Sequence, residues 1–289
     1  MKAAVATIRD PAIPLYTALA MIAFASNSLL NRLALGSESI DAVSYTTVRL
    51  VTGAVVLMLI AQLQRGNGQA KVRGSWLSAA LLFLYAVSFS FAYVSLSAGT
   101  GALILFGTVQ VTMILAALRS GERPHVLVWL GILLALGGLI YLVMPGLEAP
   151  APLGSALMTL AGIAWGGYSL RGRGSAAPLA DTAGNFLYAV PFIVSVRLFP
   201  TDNFHLSMSG ILLAAISGAI ASGVGYVIWY AALRGLTATS AAIVQLSVPV
   251  LAAWGGVILL AEDVSLRLIL AGSFILGGIA LAVKGRVNA

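Results

Sequence analysis

The chain has 289 residues, 60% of them apolar and only 9% charged, with a formal net charge of +7 and no cysteine. A soluble domain carries about a quarter charged residues, so this chain lacks the polar side chains to coat a water-facing surface, and the bilayer is the solvent that suits it. The missing cysteine excludes disulfides, thiolate nucleophiles and cysteine metal sites, and the basic balance fits membrane loops better than nucleic acid.

In lipid the backbone must satisfy its own polar groups, in helices or in a closed barrel. The apolar runs are long and do not alternate with polar residues as barrel strands do, so helices are expected. The segment Met1–Pro14 is polar and short. No small-residue cleavage site follows the first apolar run, which reads as a retained helix and not a signal peptide. Ten spans follow in order, near 13–34, 42–61, 75–96, 99–118, 126–143, 153–170, 182–199, 209–232, 237–260 and 266–283. Glycine, proline and charge end the helices at Arg119–His125 and Met144–Pro152. The tight gaps after spans three and eight predict helical hairpins. Twelve of the 16 basic residues fall on the side that holds both termini; Arg32, Arg197 and Arg267 fall on the other, and Arg49 lies inside a span. Basic loops mark the cytoplasmic side, so both termini of this multi-pass protein are expected there.

The chain also reads as built twice. A shift of 140 residues aligns 92–143 with 232–283 without a gap. Glu122 then meets Glu262, and Gly137–Gly138 meets Gly277–Gly278. At the same shift "FASNSLL" (Phe24–Leu30) meets "AWGGYSL" (Ala164–Leu170). Each half holds five spans. Five is odd, so the second half enters from the opposite face, which makes an inverted-topology repeat around a central cavity, an architecture of secondary transporters. The expected units are 1–146 and 147–289.

Each half ends in a short "GE" or "AE" loop and an "LGG" helix, and span two opens on "TTVRL" (Thr46–Leu50). In these features the chain resembles the EamA-type transporters of the drug/metabolite transporter superfamily, and within them the bacterial aromatic and neutral amino acid exporters. The resemblance implies ten helices, a cavity between the halves, and export of amino acids, metabolites or organic cations.

Polar groups at membrane depth are costly unless they face a cavity or a partner. No Asp or Glu falls near the middle of a span, and His125 and His205 fall in loops. Proton-coupled antiporters usually need a titratable group along the path, so tight proton coupling is not expected, and the substrate is read as neutral or zwitterionic. Arg49 has two readings. It snorkels or meets a backbone carbonyl, or it serves as a gate or a contact for a substrate carboxylate.

Candidate cavity residues are Asn27, Tyr85, Phe89, Gln110, Trp165, Tyr168, Trp229 and Gln245. The amides would bond a substrate's polar groups, and the rings would supply flat apolar walls. Trp165 and Tyr168, three apart, and Tyr85 and Phe89, four apart, share helix faces. A membrane glutamine also bridges helices, so Gln110 and Gln245 carry both readings. Pro249 frees the carbonyl of Gln245 and predicts a kink in span nine. Trp76, Trp129 and Tyr16 read as interfacial belt, and belt competes with cavity for Trp229. Small residues in "ISGAIASGVGY" (Ile216–Tyr226), with Ser217, Ala221 and Gly225 four apart, predict a close helix contact.

Neither an enzyme nor a channel fits. No nucleophile with its base, no paired carboxylates and no metal-ligand spacing are present, and no charged ring marks a pore. No cofactor or metal is expected. The expected partners are a small-molecule substrate and the bilayer, and two similar halves suit a monomer. The competing transport reading is a multidrug exporter of aromatic or quaternary cations, held in an aromatic cage.

Overall fold

The computed structural model describes residues 12–65, 73–119, 126–144, 149–172, 175, 177–196, 204–233, 235–236 and 244–287. Among them are ten helices: α1 (Ile13–Gly36), α2 (Ala42–Arg65), α3 (Trp76–Tyr93), α4 (Ala98–Arg119), α5 (Val126–Val143), α6 (Pro152–Gly172), α7 (Pro178–Val196), α8 (Met208–Leu233), α9 (Ser247–Leu260) and α10 (Leu266–Val287). The fold is all-α; one isolated bridge, Ile40 with Leu206, is the extended pairing among the described residues. By length and composition α1, α3, α7, α8 and the stretch Ala42–Gln64 of α2 can each cross a membrane. Large apolar side chains such as Leu59, Leu133 and Ile258 stand exposed on the outside of the bundle, where a bilayer would cover them.

Local chemistry places the helix starts. Pro152 and Pro178 open α6 and α7, where a missing N–H costs nothing. Asp41 accepts the Ser44 N–H at 2.8 Å at the head of α2. Ser207 accepts the Gly210 N–H at 3.1 Å at the head of α8. Each satisfies a donor that the helix itself cannot.

The packing is two-fold. α2 lies on α7, α4 on α9 and α5 on α10, each helix against its own repeat. The remaining major contacts are mirrored: α1 on α8 matches α6 on α3, α1 on α9 matches α6 on α4, and α2 on α8 matches α7 on α3. The α5–α10 seam shows the symmetry residue by residue. A Cβ on Gly138 would meet the Ala271 carbonyl at 3.1 Å, and one on Gly278 would meet the Gly131 carbonyl at 2.6 Å. Shifting 138 and 131 by 140 gives 278 and 271, so one contact is the other repeated.

Nine of the ten expected spans end within four residues of a helix. The tenth differs. Of span nine, expected from 237, residues 237–243 lie outside the described residues; Val244–Gln245 are helical, a turn at Leu246 follows, and α9 runs on from Ser247. The helix is thus interrupted between Gln245 and Pro249, where the proline has no N–H to give the Gln245 carbonyl. The expected hairpin after span three is present, four residues long between α3 and α4; of the gap after span eight, Gly235 and Leu236 are described, in a turn with the Gly235 N–H on the Ala232 carbonyl at 3.0 Å, while Glu122 and His125 lie outside the described residues. The double glycines divide. Gly138 and Gly278 pack, whereas a Cβ on Gly137 or Gly277 would meet nothing within 4 Å.

The expected small-residue contact in α8 is present: Ser217, Ala221 and Gly225 are all buried, and a Cβ on Gly218 would strike the Arg49 carbonyl. The middle of α8, Ser217–Val224, is also π-helical, and Gly225 bonds back to Ile220. A π turn closes i→i+5, and Ser217 and Ser222, five apart, are both buried in the bundle interior.

Candidate functional site

The end at which α1 begins is here called the first face, and the opposite end the second. The site is layered between them.

A vestibule of about 360 Å³ lies at the first face, walled by Ser75, Ser78, Tyr168, Arg171, Asn185 and Tyr230 among others. That volume is within the range of small-molecule sites. Arg171 donates to the Ser78 hydroxyl at 2.9 Å and to that of Ser75 at 3.3 Å. Asn185 accepts the Ser75 N–H at 2.9 Å and donates to the Tyr168 hydroxyl at 3.4 Å. Asp181 also lines this space, from the first turn of α7, and its carboxylate accepts from the Ser175 hydroxyl.

Beneath the vestibule lies a layer of rings. Trp165 contacts Tyr168, Tyr85 and Tyr226 with centroids at 5.6, 4.8 and 5.1 Å. Phe24 meets Trp165, Tyr226 and Trp229 edge-on at 6.4, 6.0 and 5.7 Å. Such pairs contribute about 0.5–1.5 kcal/mol each beyond burial.

This layer roofs a central cavity of about 20 Å³, lined by residues of α1, α3, α4, α6 and α8, among them Asn27, Ser28, Tyr85, Phe89, Trp165 and Tyr226. The space is near that of one water, so the structure is closed around its centre.

Next to the cavity lies Arg49, 1% exposed. It is seven residues into α2, roughly 10 Å from the second-face end at 1.5 Å per residue. It does not snorkel. Nε donates to the Ser222 hydroxyl and Nη2 to the Tyr85 hydroxyl, both at 3.2 Å. The guanidinium carbon lies 5.3 Å from the Tyr85 ring centre and 5.2 Å from that of Phe89. Nη1 has no hydrogen-bond partner. No ion pair of Arg49 occurs among the described residues. An unpaired buried charge costs several kcal/mol, and cation–π contacts return about 0.5–2 kcal/mol. A polar cluster continues beside it: Ser217 donates to Asn27 Oδ1 at 2.6 Å, and Asn27 Nδ2 donates to the Tyr85 hydroxyl at 3.4 Å.

The second face is locked. Arg32 Nε pairs with Glu262 at 3.0 Å and Nη1 reaches the carbonyls of Tyr93 and Val94 at 3.3 Å. Both Glu262 oxygens accept the Ala98 N–H, at 3.1 and 2.9 Å, which places a carboxylate on the positive end of α4. Ala261, with φ of 53°, gives the left-handed turn that sends Glu262 there.

Of the residues read from sequence, Asn27, Tyr85, Phe89 and Trp165 line the central cavity, and Tyr168 lines the vestibule. Trp229 is buried in the aromatic layer against Phe24 and lines neither space. Gln110 and Gln245 are buried and engaged within the protein, and they are not among the residues that line either cavity. Among the described residues of span nine, which was expected to contribute through Gln245, none lines the central cavity. Trp76 and Trp129 face outward, while Tyr16 is partly buried. Sequence reading missed Phe24, Ser217 and Ser222 as members of the site. The serines carried a signal only at π spacing, which α-helical periodicity hides.

Comparisons with known proteins follow this geometry. The model of the EamA-like transporter family matches residues 12–144 and again 152–284. An uncharacterised protein of Pseudomonas aeruginosa is 53% identical over 274 residues, covering 95% of each chain. An uncharacterised transporter of Archaeoglobus fulgidus is 26% identical over 254 residues, covering 83% of this chain and 86% of its own. A solved crystal structure at 22% identity superposes with a TM-score of 0.64, covering 93% of this chain and 98% of its own; at that identity the likeness concerns the fold alone.

Proposed function

The chain belongs to the EamA-like transporter family of the drug/metabolite transporter superfamily, and from that membership we propose that it exports aromatic and other neutral amino acids, or similar small metabolites, across a bacterial inner membrane. It is a multi-pass membrane transporter and not an enzyme. Transport runs by alternating access, with both termini cytoplasmic and one chain forming the whole path. The first face is then the cytoplasmic entrance, and the second face the exit.

The observation that carries this reading is the central cavity. Its walls are the flat rings of Phe24, Tyr85, Phe89, Trp165 and Tyr226, with the Asn27 amide among them. Rings hold an apolar side chain, and a placed amide orients the polar end. With a vestibule on one side, a locked face on the other and little space between, the arrangement suits a carrier closed between loading and release. The vestibule would admit the substrate past Tyr168, and Trp165 with its neighbours would give way to enlarge the centre. Trp229 backs the ring of Phe24. Among the described residues no Asp, Glu or His lines the central cavity, and Asp181 stays in the vestibule, which supports transport without tight proton coupling.

Counterflow in proteoliposomes tests the proposal. Vesicles loaded with phenylalanine, threonine or methionine, at equal pH on both sides, should take up the labelled amino acid above empty vesicles. Trp165→Ala removes four ring contacts and should cut uptake by roughly tenfold or more, since about 1.4 kcal/mol corresponds to each factor of ten. Strong stimulation by a pH gradient would remove the uncoupled reading. The six rings that line the cavity, Phe106 being the sixth, also suit a flat organic cation; uptake of a quaternary cation without any amino acid uptake would select the drug-exporter reading.

A further inference from the structure

We propose that Arg49 is the anion-binding group of the central site, and that the transported molecule carries a carboxylate which this guanidinium holds. The inference rests on the transport reading above and narrows its substrate class.

Four observations converge on it. Arg49 is buried in the middle of the bundle and, among the described residues, forms no ion pair. Arginine stays charged in proteins, so the charge is real, and it is met by hydroxyls and ring faces. Second, the donors around it outnumber the acceptors. Nη1 has no partner, while Nη2 and the Asn27 amide both aim at one oxygen, the Tyr85 hydroxyl. That phenolic oxygen occupies the place where a carboxylate oxygen would be held best, between a charged and a neutral donor. Third, Asn27, Tyr85 and Phe89, which Arg49 or its partner donor touches, all line the central cavity. Enlarging that cavity by turning Tyr85 brings the guanidinium into contact with its contents. Fourth, α8 gives up α-helical geometry here. Its π turns bring Ser222 to Nε and Ser217 to Asn27, and π segments inside α-helices are frequent at functional sites. Ser217 and Ser222 hold the two donors in place.

The chemistry favours a carboxylate over a cation. A guanidinium fork matches a carboxylate with two parallel hydrogen bonds, and Nη1 with Nη2 is the edge that remains available once Nε is tied to Ser222. A cationic drug in the same cavity would face a like charge with no acid to offset it. The aromatic walls then hold the substrate's side chain, not its charge.

The test uses the full-length chain in detergent and in proteoliposomes, with three matched probes: phenylalanine, 3-phenylpropionate, which lacks the amine, and phenethylamine, which lacks the carboxylate. Calorimetric titration of the native chain should show both carboxylates binding at least tenfold tighter than phenethylamine. Arg49→Gln should lose that preference. Arg49→Lys should keep its direction with weaker binding, because the charge stays and the fork is lost. The inference is overturned if phenethylamine binds the native chain as tightly as 3-phenylpropionate, if 3-phenylpropionate does not bind, or if Arg49→Gln leaves binding and phenylalanine counterflow unchanged. The native-chain comparison holds even where Arg49→Gln fails to fold. Arg49-dependent binding of 3-phenylpropionate without counterflow of any amino acid would overturn the amino acid reading alone.

Discussion

The two ends of the bundle are built from the same five-helix unit, yet they are closed by different means. At the second face, Arg32 at the end of α1 is ion-paired to Glu262, which caps α4. The segments entering α2 and α8 are stitched there through backbone: Asp41 N–H bonds to the His205 carbonyl at 2.8 Å and Ser207 N–H to the Ser39 carbonyl at 3.0 Å. At the first face, among the described residues, Arg171 at the equivalent end of α6 reaches serine hydroxyls, and α7 meets the entry to α3 through the Asn185 side chain; Glu122, the repeat equivalent of Glu262, lies outside the described residues. Among the described residues, then, a charged pair joined to helix termini closes one end, and neutral side-chain bonds border a vestibule at the other. A symmetric repeat is therefore seen in an asymmetric state, with the described pairings differing between its two ends.

Three changes break or sharpen that comparison. Gly218→Val should have the largest effect. Its Cβ would strike the Arg49 carbonyl and the Thr52 hydroxyl, and neither the α2 backbone nor the tight seam can yield cheaply. We expect a loss of about 1–3 kcal/mol, read as a lowered unfolding midpoint in detergent; an unchanged midpoint would show that α8 does not need its close seat on α2. Glu262→Gln should act next. It removes the ion pair with Arg32 and weakens the cap on α4, a loss of about 1.5 kcal/mol for bonds to a charged group. The chain has no native cysteine, so Ser28→Cys gives a clean reporter in the central cavity. Its labelling by an impermeant maleimide from the second face should rise about tenfold with Glu262→Gln. Equal labelling with and without the carboxylate would deny the lock its role. Arg171→Ala should have the smallest effect, about 0.5–1 kcal/mol for neutral hydroxyl acceptors, and should leave that labelling unchanged. A rise as large as that for Glu262→Gln would mean that the two ends are held alike.

Much of the architecture was legible before any coordinates. Long apolar runs gave nine spans close to their final ends, and the 140-residue shift found the repeat that the α5–α10 seam displays. Other features were legible only in part. The break before Pro249 could be read from the proline itself, and the helix is interrupted at Leu246. The small residues of α8 signalled a close contact, but α-helical spacing hides the π turns that bring Ser217 to Asn27 and Ser222 to Arg49. Gln110 and Gln245 carried a cavity and a bridging reading, and depth along a span does not say which way a side chain points; both are buried and engaged within the protein.

What the residues alone determined is what solvent and periodicity dictate: a helical membrane protein, built twice, whose scarce charges keep to the helix ends. Arg49 is the exception that composition could flag and not explain. Only the packed bundle decided that its guanidinium turns inward, that Ser222 and Tyr85 meet it and that, among the described residues, no acid does. The physical reason is range. The hydrophobic pattern acts residue by residue along the chain, whereas the partners of a buried charge are chosen by elements 36 and 173 residues away, brought together only when the helices close around a common centre.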